Sequence, residues 1–357
     1  MNNNIQDIKI DRPDIITSQI EPISYYRKMD TDAIVVTLLE GKYILIEEFY
    51  SNGLEVLAEL KNHLKLKYDD ETPGAQAEYK IAFDEAAKRV ILKIEEHKLL
   101  IKKAPEVKWF DILYPESAEF YLPFLEVQKL SSSWLTYKKG IEVKTLDLEI
   151  HPFYGTYAPK RFDHLKLFNK WLKSYEGSKD TAIEIGIGSG VLAFQMIQND
   201  FKNIHASDIN KNAIVGVDKE SRKLGYEDKI TLYHGDLFEN IDIQADVIVF
   251  QPPWLATKNK IQKDIDKAVY FEEDLFPRFF DEAKKHLSPE GKIVLVYSDL
   301  VPQSEENAHP IIEELRANNR FKKELHLRRD VRASSRRKKR TDASDNQKVE
   351  LWVLAQK

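Results

Sequence analysis

Apolar residues fall into two rhythms along the second half of this chain. Runs of strand length recur at Thr181–Ile185, Asn203–Ala206, 229–233, Ala245–Phe250, Lys292–Tyr297, Phe321–Arg328 and Lys348–Leu354. Between them, helical spacing predicts helices over Arg161–Tyr175, 191–199, Tyr270–His286 and Glu305–Ala317. Strand and helix alternate until the last two strands, which succeed one another without a crossover helix and so must pair antiparallel. That order predicts a doubly wound, mostly parallel α/β sheet closed by an antiparallel hairpin.

The first half is less regular. Residues 1 to 30 are polar, with Pro13 and Pro22, and suggest a loosely packed lead-in. Tyr43–Tyr50 reads as a strand, followed by a helical pattern over Leu54–Leu66 and a break at Asp69–Gly74. Ala82, Phe83, Ala86, Val90, Ile94 and Ile101 form one stripe, which predicts a single core helix from Ala75 to about Lys102. Residues 105 to 137 carry Trp109, Phe110, Tyr114, Phe120, Tyr121, Phe124, Trp134 and Tyr137, rings that either fill a core or line a pocket. Between Gly140 and Ile150 the apolar alternation changes phase, as in a strand with a bulge. We place a domain boundary near 150, dividing an α+β region (1–150), a candidate for substrate recognition, from an α/β region (151–357).

The chemistry concentrates after the Thr181 strand, in Glu184-Ile185-Gly186-Ile187-Gly188-Ser189-Gly190. Glycines this close together let a backbone turn sharply and approach a ligand. A dinucleotide fingerprint starting at Gly186 would need its third glycine where Val191 stands. Asp208, about 20 residues past the loop, is placed either to hydrogen-bond a ribose diol or to cap the helix after Asn210. A further acid, Asp236, comes after the next strand, ahead of Leu237. After Ala245–Phe250 the chain reads Gln251-Pro252-Pro253-Trp254. Prolines without N–H leave carbonyl acceptors at such a corner, and an amide oxygen beside them can accept from a substrate –NH₂.

Read as E-x-G-x-G-x-G, the loop resembles motif I of the class I S-adenosylmethionine (SAM)-dependent methyltransferases, and Gln251–Trp254 resembles the Asn/Asp-Pro-Pro-aromatic motif of the amino-directed members. The resemblance covers about 150 to 357. It implies a Rossmann-like seven-stranded sheet with an antiparallel last strand, and SAM as cofactor held by Glu184, Gly186, Gly188, Gly190, Asp208, Asp236 and Leu237. It also implies catalytic roles for Gln251, Pro252 and Trp254, with Tyr154 and Tyr157 as candidates to line the substrate site. Gln in place of Asn carries the amide one methylene further out.

Cysteine is absent from the 357 residues, which excludes disulfides, thiolate metal sites and cysteine nucleophiles, and no metal is expected. No apolar run approaches the ~18 residues of a membrane span, and a signal-peptide core is not apparent, so a soluble, cytoplasmic protein is expected. A net charge of −5 argues against nucleic-acid binding by bulk charge. A local basic run, Arg328, Arg329, Arg332, Arg336, Arg337, Lys338, Lys339 and Arg340, leaves a phosphate contact open, as does a solvated hairpin tip. The expected activity is N-methylation of a small molecule or protein side chain. The alternatives are an RNA or DNA base N-methyltransferase and a non-catalytic binding module.

Overall fold

In the computed structural model the chain divides into two compact units, Asp11–Lys138 and Met1–Ile10 with Lys139–Lys357. The structure describes residue 5 and residues 8–16, 20–68, 72–159, 161–257, 270–299, 309–331 and 348–357. The division falls at Lys138 rather than near 150, because residues 141–150 belong to the larger unit. No helix among the described residues is long and apolar enough to cross a membrane.

The smaller unit runs β1 (Ile23–Tyr25), α1 (Thr31–Leu39), β2 (Ile44–Ile46), α2 (Tyr50–Lys67), α3 (Pro73–Ala87), β3 (Val90–Glu95), β4 (Lys98–Leu99), α4 (Trp109–Leu113), β5 (Glu119–Pro123) and α5 (Phe124–Lys139). Its five-stranded sheet has the order β1-β2-β3-β4, with β5 also paired to β3. The expected helix over Ala75–Lys102 is corrected: it stops at Ala87, and Val90 begins a central strand. Val90, Ile91 and Leu92 are all buried in succession, which a strand covered on both faces achieves and a one-sided helix does not. The strand expected over Tyr43–Tyr50 shortens to Ile44–Ile46, since Glu48 turns the chain at φ 37° and α2 begins at Tyr50. The aromatic segment packs against itself: Trp109 meets Trp134 edge-on at 5.5 Å and Tyr114 meets Phe120 at 4.7 Å. Most of these rings are buried core.

The larger unit begins with an antiparallel hairpin, β6 (Ile141–Val143) and β7 (Leu148–Ile150). The phase change read as a bulge is the turn between them, with Asp147 at φ 52°. Next come α6 (Asp163–Ser174), β8 (Thr181–Ile185), α7 (Val191–Gln198), β9 (Asn203–Asp208), α8 (Lys211–Leu224), β10 (Ile230–His234), β11 (Ala245–Phe250), β12 (Leu255–Ala256), β13 (Tyr270–Phe271), α9 (Leu275–His286), β14 (Leu287–Asp299), α10 (Pro310–Ala317), β15 (Phe321–Asp330) and β16 (Lys348–Gln356). The seven-stranded sheet has the order β10-β9-β8-β11-β14-β16-β15. Every neighbouring pair is parallel except the two that β16 makes, with β14 and with β15.

Strand alternation feeds two cores. Ala182 joins the cluster of Phe168, Leu192, Phe194 and Val249, while Ile183 and Ile185 join Phe276, Phe279 and Phe280 across the sheet. Ile5 and Ile8 pack on the first cluster, which ties the N-terminal residues to this unit. Period-two alternation puts Glu184 on the Ala182 face.

On β16, Glu350 is a buried anion: Trp352 Nε1 donates to its Oε2 at 2.8 Å, His309 Nε2 lies 3.2 Å from the same oxygen, and Arg328 Nε lies 2.8 Å from Oε1. Burial alone would raise this carboxyl, but the hydrogen bonds from His309 and Trp352 and the charges of His326 and His309 outweigh it and hold the pKa down at about 2. Of the basic run, Arg328 is thus engaged with Glu350, and Arg329 Nε lies 3.3 Å from Asp163. Residues 332–340 lie outside the described residues, as do 258–267 of the polar stretch after β12.

Candidate active site

β8 delivers the glycine loop to the carboxyl ends of the parallel strands, where β8 and its neighbours β9 and β11 run out together. The N–H groups of Gly186 and Ile187 both donate to Ser207 O, at 2.9 and 3.0 Å, which laces the loop to the end of β9. Gly188 has φ 52°, and a Cβ there would meet nothing closer than 4.0 Å, so its side faces open space. Gly190 is glycine for a different reason: with φ 80°, a Cβ would come within 2.8 Å of the Phe194 ring.

Asp208 holds this arrangement from β9. Its Oδ2 accepts from Gly188 N at 2.8 Å and its Oδ1 from Asn210 N at 2.8 Å. The cap of α8 is Asn210, whose Oδ1 accepts from Asn212 N at 2.9 Å. The two asparagines also reach sideways: Asn210 Nδ2 donates to Gly155 O and Asn212 Nδ2 to Tyr154 O, both at 2.9 Å. Phe153 is buried against Gly216 of α8, where a Cβ would lie 2.5 Å from its own. The turn through Tyr154 and Gly155 is therefore fastened to the start of α8.

A cavity of about 360 Å³ opens between these pieces, a volume suited to a small ligand. Glu184, Gly186, Gly188, Asp208, Asp236, Leu237, Gln251, Pro252, Trp254 and Tyr157 all line it. Gly190 and Tyr154 are not among its walls: Gly190 packs beneath the loop, and Tyr154 contributes its backbone carbonyl to Asn212. The rings of Tyr157 and Trp254 meet at right angles, 5.7 Å apart. Backbone pairing of Leu255 with Tyr270 and of Ala256 with Phe271 fixes the chain immediately after Trp254.

Two wall residues, Arg278 and His164, carry no sequence signal, and they act beside residues that do. Arg278 on α9 grips the Asp236 carboxylate at 2.5 Å and Asp274 at 2.8 Å, so Asp236 is oriented by an arginine that arrives from a distant segment. Leu237, at φ 47°, turns its carbonyl to accept from Ser207 Oγ. His164, on the first turn of α6, lines the cavity; burial pushes its pKa down to about 4, against the opposing charge of Asp163, so the imidazole is neutral at ordinary pH. Burial likewise raises the Tyr157 hydroxyl, with Arg161 opposing.

Glu184 is 2% exposed. Burial lifts its carboxyl well above the usual carboxylate range, the Asp208 charge lifts it further, and a hydrogen bond from the Ala193 N–H opposes both. Among the described residues no group of His, Cys, Asp and Glu is arranged to hold a metal ion.

The profile of the methyltransferase small domain family matches residues 147–323, all inside the larger unit. A Methanocaldococcus jannaschii protein with a provisional name as a protein N5-glutamine methyltransferase is 30% identical over 172 residues, covering 46% of this chain and 82% of that protein. The chain belongs to the class I SAM-dependent methyltransferases. This methyltransferase is also 30% identical over 122 residues to the release factor glutamine methyltransferase of Borreliella burgdorferi, covering 32% of this chain and 43% of that one. It is 33% identical over 125 residues to a bifunctional methyltransferase of Rickettsia conorii, covering 32% of this chain and 24% of the other. The chain thus spans less than half of the Borreliella protein and about a quarter of the Rickettsia one.

The family's methyl donor is SAM, and the cavity fits it in kind. A ligand bearing ribose hydroxyls and amino groups needs acceptors, and the walls offer four carboxyl groups, those of Glu184, Asp208, Asp236 and Glu272. The loop beside them presents no side chain at Gly188 that would fill the space.

Proposed function

We propose that this methyltransferase is an N-methyltransferase that transfers the methyl group of SAM to a planar nitrogen group, an amide or amino group of a protein side chain or small molecule. The observation that carries this is the presence of Gln251, Pro252 and Trp254 in one cavity with Glu184, Gly188 and Asp208. The two relatives named for glutamine methylation support a protein amide as the acceptor.

SAM supplies an electrophilic methyl already attached to its leaving group, so the protein's task is alignment and exclusion of water. Asp208, fixed by its two backbone donors, would accept from the ribose hydroxyls. Asp236, oriented by Arg278, and the Leu237 backbone would hold the adenine amino edge. Glu184 lies on the wall left for the amino-acid end. Gln251 Oε1 and the Pro252 carbonyl would accept from the acceptor –NH₂ and orient it for transfer, while Trp254 would offer a stacking face. The smaller unit lies outside the matched residues, and we assign recognition of the acceptor to it; a photoreactive acceptor should label peptides from Asp11–Lys138, and labelling confined to the larger unit would refute that assignment.

The reaction is tested by incubating the protein with isotopically labelled SAM and a cell extract. Mass spectrometry of the labelled product should place the methyl on nitrogen. A methyl on carbon or oxygen would overturn the reading of Gln251–Trp254.

A further inference from the structure

Glu184 is the only ionisable residue of β8 and the most enclosed acid on the cavity wall. One carboxyl oxygen accepts from the Ala193 N–H, whereas Oε2 has no hydrogen-bond partner among the described residues. Its neighbours across the sheet, Ala206 on β9 and Val249 on β11, are apolar. The segment Val191–Gln198 that packs above it carries no ionisable group. α6 turns Leu165 and Phe168 toward the same cluster, and its ionisable residues nearest the cavity are Asp163 and the neutral His164. β11 carries only Asp246, at the opposite end of the strand, where it accepts from Thr181 N. The one anion that bears directly on Glu184 is Asp208, and it has the same sign. A buried carboxylate with an unpaired oxygen beside a second carboxylate is costly, and a proton is the cheapest relief.

We propose that Glu184 carries a proton in the free protein and surrenders it when a positively charged ligand enters the cavity, so that SAM binding is coupled to the release of one proton. This rests on the SAM site described above. The carboxyl O–H bond breaks heterolytically, the carboxylate keeps the electron pair, and the proton passes to the buffer. The positive charge of the bound ligand then takes the place the proton held. The anion of Asp208, already paired with two backbone donors, remains as it was. The site thereby selects for charge: a neutral ligand of the same shape gives Glu184 no reason to ionise.

Isothermal titration of the full chain with SAM, at about pH 6.5 in two buffers of different ionisation heat, measures the protons exchanged. At that pH an α-amino group of pKa about 7.7–8.0 remains protonated and is silent. Wild type should release a proton, up to one per SAM bound, and its affinity should rise with pH, by up to about tenfold per unit, while Glu184 is still protonated in the free protein. Glu184→Gln should bind more weakly with no release. 5′-Methylthioadenosine, which keeps the adenosine part and lacks both cations, should bind wild type without release, so the proposal stays testable if the variant fails to fold. Heat of SAM binding that is independent of buffer would overturn the coupling and leave the SAM site intact. Absence of any binding heat would remove the SAM site and the coupling together.

Discussion

At the scale of single residues, Gln251 bears the claim of nitrogen chemistry. Gln251→Ala should lower kcat strongly and leave SAM affinity nearly unchanged, because the lost contact matters most at the transition state. Gln251→Asn, which pulls the amide back by one methylene, should fail to rescue, since a displacement on the order of 1 Å can cost about a hundredfold. Full activity in that variant would show that the pocket is not built around the longer side chain. Asp208→Ala should weaken SAM binding by roughly 1.5–3 kcal/mol, about tenfold or more. It should also lower thermal stability, because Gly188 N and Asn210 N lose their acceptor; unaltered SAM affinity would refute the ribose contact. The cavity residues legible in the sequence were those whose chemistry is local: alternate glycines, an acid at a strand end, two prolines before an aromatic. Arg278 and His164 were not legible, because each reaches the cavity only through packing between segments far apart in the chain. Tyr154 and Tyr157 looked equivalent in sequence; the side chain of one lines the cavity, and the backbone of the other serves Asn212.

At the scale of elements, the glycine loop divides its labour, and substitution should separate the parts. Gly190→Ala must displace the Phe194 ring at a position of positive φ, and should destabilise the fold whether or not ligand is present. Gly188→Val meets no such clash, and although its positive φ also costs stability, it should lose SAM affinity out of proportion to its fall in melting temperature. Equal effects of the two on SAM binding and on stability would contradict this division. The alternation of strand and helix from Thr181 onward was readable because the inner strands β11, β14 and β16 carry successive buried apolar residues and are bounded by polar turns. The error over Ala75–Lys102 has a physical cause: Ala82, Ala86, Val90 and Ile94 fit helical spacing, yet tertiary pairing with β2 and β5 claims the last two for a strand. In the same way the turn at Asp147 imitates a bulge, since both shift an alternating pattern by one residue.

At the scale of the whole molecule, pH acts on the fold through Glu350. Its folded pKa of about 2 lies below the ordinary 4.5, so its stabilisation is fully present above pH 4.5 and is lost as pH falls toward 2. That difference corresponds to something on the order of 3 kcal/mol. Denaturant titrations at several pH values should show Glu350→Gln less stable near neutrality and flatter in its acid response; an unchanged acid slope would mean that the cluster with His309 and Arg328 contributes nothing. A different kind of coupling arises from the two asparagines at the start of α8. Because Asn210 and Asn212 fasten both the helix end and the turn at Tyr154–Gly155, a swing of the segment leading to Tyr157 loosens the same two side chains that hold the start of the helix. Breathing of the cavity rim and fraying of α8 are then one event with one free energy, and a ligand that quiets either must quiet both. The amide protons of Thr156, bonded to Phe153 O, and of Asn212, bonded to Asn210 Oδ1, should therefore exchange with solvent more slowly by the same factor when SAM is added.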